Sequence, residues 1–372
     1  MSVMATHAGG APVPAGTFVY VSNAADGDIG AYRMQPDGAL QPGARAEAAG
    51  VVGPMAVSPD RRFLYAAVRS QPFSLHTYAI DPGTGALKPL AASPLAGSFP
   101  YISLDKTGRY LFGASYHAHF VSVNAVGADG RVDARPLQLI PVGRNAHSIR
   151  ADESNRYVYV PSLGSDQMFQ FAFDAKSGRL SSNTPAVAQM QPGTGPRHFV
   201  TSADNRYLYA LSELLATVTT FALDANTGLL AEIGSASGLP PGTKLVPGTP
   251  RVAAGSPDAG PPRNRDRDIW AADIHLTPDG RFLYISERTS STLGAFSVNA
   301  ETGKLSYLAS TPTESQPRGF AIAPNGRFLI ASGETSDTIS VYAIDQANGA
   351  LALLAKYPGG KGANWVEIVS FG

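Results

Sequence analysis

One tetrad recurs along this 372-residue chain and constrains its fold more than any other feature. It reads Arg62-Phe63-Leu64-Tyr65, Arg109-Tyr110-Leu111-Phe112, Arg156-Tyr157-Val158-Tyr159, Arg206-Tyr207-Leu208-Tyr209, Arg281-Phe282-Leu283-Tyr284 and Arg327-Phe328-Leu329-Ile330, with Thr17-Phe18-Val19-Tyr20 as a degenerate seventh copy. Successive copies lie 45, 47, 47, 50, 75 and 46 residues apart. An alternating segment and a turn precede each tetrad, as in Met55-Ala56-Val57-Ser58-Pro59-Asp60, and another alternating segment follows it. That second segment ends in a hairpin signal such as Asp81-Pro82-Gly83-Thr84-Gly85 or Asp224-Ala225-Asn226-Thr227-Gly228. Pro-Asp, Asp-Gly and Thr-Gly are turn chemistry between strands. A short strand after each Gly-x-Leu makes four strands per repeat, the period of a β-propeller blade. No 3.6-residue apolar period supports a helical solenoid.

The expected fold is therefore all-β, a seven-bladed β-propeller over 17–372 after a disordered lead-in, 1–16. The first repeat starts at its tetrad, with no inner strand before it. The C-terminal run Asn364-Trp365-Val366-Glu367-Ile368-Val369-Ser370 resembles that missing strand. Pairing the two ends would close the ring and remove the free sheet edges. The one long interval, with about 27 extra residues, reads as a loop insertion over 234–268 on one face, either tolerated surface or a rim over the site.

Composition agrees and narrows the partners. Gly (39) and Pro (29) are abundant while charged residues are only 16%, as a chain of many short strands and turns requires. With 29 basic and 29 acidic side chains, nothing argues for nucleic acid or an anionic membrane surface. The absence of cysteine excludes disulfides and thiolate chemistry. No stretch has the ~18 consecutive apolar residues of a spanning helix. The N-terminal segment lacks the basic and apolar regions of a secretory signal, so the cytoplasm is the expected compartment.

A repeat is its own control: positions with one structural duty look alike in every copy. The residue seven after each tetrad start is Ala24, Arg69, Tyr116, Leu163, Glu213, Arg288 or Glu334. The residue nine before it is Gly53, Pro100, His147, Arg197, Ala272 or Arg318. In a propeller blade both positions should meet at one mouth of the central channel. Carboxylates, an imidazole and four arginines around one opening suit a small anionic substrate, since guanidinium forks grip carboxylate or phosphate. The alternatives are a channel histidine for His147 and a structural ion pair for Glu213 with Arg197 or Arg288. Asp273 and His275 could be buried structural hydrogen-bonders. The tetrad arginines recur in six of the seven copies and are read as structural. His117 and His119 have an occasional metal spacing but no third ligand nearby, so neither a metal nor any other cofactor is expected.

Several segments look like a known family: Ala146-His147-Ser148, Gly195-Pro196-Arg197-His198, Trp270-Ala271-Ala272-Asp273-Ile274-His275-Leu276 and Gln316-Pro317-Arg318-Gly319-Phe320. They resemble the seven-bladed lactonases, which include bacterial propeller-type 6-phosphogluconolactonases and fungal 3-carboxymuconate lactonizing enzymes. The resemblance runs from about Thr17 to the C-terminus, outside the insertion. It implies metal-independent chemistry on small anionic lactones, with His147, Glu213, Arg197 and Arg288 as the catalytic set. On that reading His147 or Glu213 is the general base, and Arg197 and Arg288 stabilise the oxyanion. Arg318 and Arg69 hold the substrate's phosphate or carboxylate, with His198, Gln316, Tyr116 and Asn23 as further substrate contacts. The expected reaction is hydrolysis of 6-phosphogluconolactone. The alternatives are a muconate-type lactonization, another lactone, or a non-catalytic protein-binding propeller. The sequence leaves the oligomeric state open.

Overall fold

The computed structural model describes residues 16–252 and 264–371. The expected lead-in therefore lies outside the described residues, except Gly16, which opens the first strand. Seven four-stranded antiparallel sheets surround one axis. Blades 2 to 7 run from the innermost strand outward in sequence order, with strands within 52–94, 101–141, 150–189, 196–237, 271–312 and 320–358. Blade 1 is composite: its inner strand is the C-terminal Ala363–Phe371, paired antiparallel with Gly16–Asn23. The ring closes as the sequence anticipates.

The core is distributed over seven interfaces, because each blade buries both faces against its neighbours. Alternating residues of one strand enter two different clusters. In the closing strand, Trp365 and Val369 pack between blades 1 and 2, while Ala363 and Val366 pack between blades 1 and 7. Period-2 apolar patterning is thus used twice per strand.

The tetrad and the hairpin glycine are two halves of one inter-blade latch. The hairpin glycines have positive φ, for example Gly85 at 72° and Gly228 at 70°, which favours glycine. A Cβ there would also collide with the tetrad ring of the preceding blade: Phe18 at Gly85, Phe63 at Gly130, Tyr110 at Gly178, Tyr157 at Gly228, Tyr207 at Gly303 and Phe282 at Gly349. Phe328 against Gly38 completes the circle. Tyrosines at the fourth tetrad position extend the latch, with Tyr20 donating to the Gly85 carbonyl and Tyr159 to that of Gly228. The tetrad arginines are structural, stacking on their own rings at 4.8 Å (Arg62 on Phe63) to 5.6 Å (Arg109 on Tyr110). Arg62 and Arg156 also donate to carbonyls of the next blade's turn.

Candidate active site at one mouth of the channel

A repeated backbone bond brings the two variable positions together. The N–H of the residue after the second strand donates to a carbonyl two residues before the inner-strand position. The pairs are Arg69 to Val51 (2.8 Å), Leu163 to Asn145 (3.0 Å), Glu213 to Gly195 (2.8 Å), Arg288 to Trp270 (3.1 Å) and Glu334 to Gln316 (3.0 Å). These positions therefore lie at the same end of the axis in each of these blades.

That mouth holds a cavity of about 220 Å³ lined by Arg69, Pro100, Tyr116, His147, Arg197, Glu213, Arg288, Arg318 and Glu334, with His117 and Trp270 beside them. Gly53 belongs to the same set in another way: a Cβ there would press on the Arg69 stem, so glycine makes room for the guanidinium. Leu163 instead joins Tyr116 and Leu214 in a small apolar cluster.

Glu213 is buried and its Oε2 takes both Arg197 Nε (2.9 Å) and Arg288 Nη2 (3.1 Å). Arg197 Nη1 is spent on the Ala272 carbonyl, and Arg288 Nε on that of Trp270. Glu334 reaches Arg318 Nε at 3.5 Å and Arg288 Nη1 only at 3.9 Å. Each of the three guanidiniums thus keeps an edge without a close protein acceptor. Arg69 forms no ion pair among the described residues, and its buried Nε has no partner. Burial, with Arg318 beside it, pulls Arg69 down to about 10, which leaves it charged at neutral pH. Burial also lowers Arg197 to about 9, with Arg288 adding to the effect.

His147 is buried, and its Nδ1 has no hydrogen-bond partner. Burial, followed by the Arg197 charge, pushes its pKa well below the usual imidazole range, so it is neutral at pH 7. It rests edge-to-face on His198, ring centroids 5.1 Å apart.

His198 is displaced from the mouth by a bulge. The inner strand of blade 5 jumps register between Pro196 and Phe199, and that of blade 6 between Ala271 and Ile274. Two successive residues then face the axis where strict alternation would turn one away. Arg197 reaches the mouth, while His198 lines the opposite chamber and bonds Asp273 at 2.9 Å. Gln316 is not among the mouth's lining residues; its carbonyl accepts from the Glu334 N–H, and its φ of 52° is left-handed. Asn23 lies outside the mouth too, donating to Asp28 at 2.8 Å. Of the histidine pair, His117 reaches the mouth, whereas His119 Nδ1 accepts from the Asn145 N–H.

The insertion contributes residues that the repeat comparison could not find. Gly248 N–H bonds the Leu214 carbonyl, and Val246 bridges to Asp268, so the insertion's stem is tied to blade 5. It delivers Arg251 and Val252 to the mouth. The Trp270 ring carries the guanidiniums of both Arg288 (3.6 Å) and Arg251 (4.2 Å). Residues 253–263 of the insertion lie outside the described residues.

Comparisons with known proteins give the family of the chain. The family model described as lactonase, 7-bladed beta-propeller, matches residues 18–368. A 6-phosphogluconolactonase of Serratia proteamaculans is 39% identical over 355 residues, covering 95% of this chain and 98% of the relative. One from Pectobacterium carotovorum is 37% identical over 95% of this chain and 98% of its own length. Among solved structures, a periplasmic gluconolactonase of Pseudomonas aeruginosa superposes with a TM-score of 0.82 at 26% identity, covering 95% of this chain and 99% of the other. Seven closed blades and a family match over nearly the whole chain lead to one conclusion: the protein belongs to the seven-bladed β-propeller lactonase family.

Proposed function

We propose that this protein hydrolyses 6-phospho-D-glucono-1,5-lactone to 6-phosphogluconate, without a nucleophilic side chain. The observation that carries this reading is the charge of the mouth, where five arginines face two glutamates. An excess of three positive charges suits a phosphate dianion together with a developing oxyanion, and exceeds what a neutral lactone needs. The names of the bacterial relatives support the same substrate.

In this reading His147 is the base, being neutral, buried and unpartnered at one nitrogen. It takes a proton from water as the water oxygen bonds to the lactone carbonyl carbon. The oxyanion draws on Arg197 and Arg288, and the ring C–O bond then breaks as His147 returns the proton to the leaving oxygen. Glu213 holds the two arginines in place through one oxygen. Arg69 and Arg318 take the phosphate. The direct test is acidification of a lightly buffered solution of fresh 6-phosphogluconolactone. A rate no higher than spontaneous hydrolysis, for this and a panel of other lactones, would overturn the reading in favour of a non-catalytic propeller.

A depressed pKa keeps the basic form of His147 present to lower pH. The activity of wild-type protein should therefore hold between about pH 7.5 and pH 6, with the acid limb of kcat/KM below the ordinary imidazole range. His147→Ala should lower kcat by about 10²-fold or more and abolish that limb. A limb near pH 6.5, or full activity in the variant, would remove His147 from the role.

Arg318→Ala should raise KM with kcat nearly unchanged, since a grip on the phosphate acts equally in ground and transition states. The expected loss in kcat/KM is about 10- to 150-fold, the worth of a charge-assisted contact. Arg318→Lys should restore only part, and an uncharged lactone should be handled as by wild type. Equal losses on charged and neutral lactones, expressed in kcat, would place Arg318 at the oxyanion instead.

A further inference from the structure

The axial channel has a second end. Below the mouth, three rings close the axis: Tyr101 and His198 (4.9 Å between centroids), Tyr101 and Trp365 (5.4 Å), and His198 and Trp365 (5.8 Å). All three pairs meet edge-to-face, and His147 stands on the upper side of His198. Beyond this partition lies a separate chamber of about 300 Å³, larger than the catalytic mouth. The same strands supply both. His147 faces the mouth and Arg150, three residues on and thus about 10 Å further along the chain, faces the far chamber.

The polar groups of that chamber mostly donate. Arg150 is half-buried and forms no close ion pair among the described residues; it interacts with the Tyr101 side chain and, at longer range, with Glu153 and Glu367. Lys106 stands at the rim, paired with Glu153 at 2.7 Å. His275 turns one nitrogen to Asp273 (3.2 Å). Of the two chamber carboxyls, Asp273 is held ionised against its burial by His275 and His198, but its oxygens are already engaged. Asp273 is occupied by His198, His275 and the N–H groups of Ile274 and Phe320. Glu367 accepts from the Trp365 indole at 2.8 Å, and burial pushes it up to about 7, so near neutrality much of it is uncharged. A guanidinium that faces the chamber without an ion pair, beside a carboxylate already engaged by four donors, can take an anion through its fork as the arginines of the mouth do.

We propose that the far chamber is a second binding site, taking a small oxyanion, phosphate or carboxylate, on Arg150. None of the residues assigned to catalysis lines it, and the inference does not depend on which lactone the mouth hydrolyses. Its volume admits a ligand from inorganic phosphate up to a small sugar acid.

The chain's two tryptophans make the test direct, because Trp270 reports on the mouth and Trp365 on the far chamber. In ¹⁵N-labelled protein the two indole N–H signals would be followed during titration with inorganic phosphate at constant ionic strength, and separately with acetate. The expected result is movement of both signals, with different midpoints. Arg150→Gln should weaken the Trp365 response at least about 10-fold and spare that of Trp270, which also serves as the folding control. Arg318→Ala should do the reverse. Arg150→Lys, which keeps the charge but not the fork, should respond at a midpoint between wild type and Gln. Phosphate active alone, or acetate as well, distinguishes the headgroup. A Trp365 signal that stays fixed, moves equally in both Arg150 variants, or vanishes with Arg318→Ala would overturn the second site.

Discussion

Glu213→Gln should lower turnover by about 10²-fold or more and also destabilise the fold. The carboxylate is buried between Arg197 and Arg288, and the amide would leave two buried guanidiniums without their counter-charge. Removing one member of a buried pair costs about 3–5 kcal/mol; glutamine keeps an acceptor, so the low end, about 3 kcal/mol, applies. For a chain of this size that is a fall of roughly 4 °C in the melting temperature. His147→Ala provides the contrast, because His147 carries no charge and its Nδ1 has no partner to orphan. Its melting profile should match wild type. From sequence, both residues look equally dispensable for folding, since neither belongs to the repeat. Calorimetry separates them, and an unchanged melting temperature together with wild-type turnover in Glu213→Gln would sink its assignment.

Removing the closing strand should have the largest effect of all. A chain ending at Gly362 exposes the inner edge of Gly16–Asn23 and empties two inter-blade cores at once, of Trp365 and Val369 on one side and of Ala363 and Val366 on the other. Trp365, Val366 and Val369 alone represent on the order of 5 kcal/mol of lost burial, at about 1.5–3 kcal/mol for a fully buried large apolar side chain. An unpaired strand edge adds an aggregation route. No cooperative thermal transition is expected, and the protein should be recovered mainly as aggregate. Phe371 pairs beside Gly16, so the same strand placed ahead of Gly16 through a short turn would give blade 1 the inner-to-outer order of the other six. That permuted chain should fold and keep the lactonase site. A truncated chain that melts cooperatively near the wild-type temperature would refute the closure argument.

The sequence by itself determined the architecture, because each repeat carries both halves of its contact with the next. Phe63 and Gly130, or Tyr157 and Gly228, are readable as a tetrad and a turn before anything is known of their meeting. It also determined most of the mouth. Positions outside the repeat's shared duties stand out against six copies of themselves, and one recurring backbone bond forces them to one end of the axis. Tertiary structure decided the rest. Whether His198 joins Arg197 or lies behind it depends on a bulge between Pro196 and Phe199, and alternation cannot foresee a bulge. Gln316 and Asn23 sit next to mouth positions in sequence, yet one serves through its backbone and the other pairs with Asp28. Arg251 lies in the insertion, outside every repeat register, so no internal control could single it out. The far chamber is legible only once six blades line it, since Tyr101, His198 and Trp365 come from three different blades and meet only across the axis.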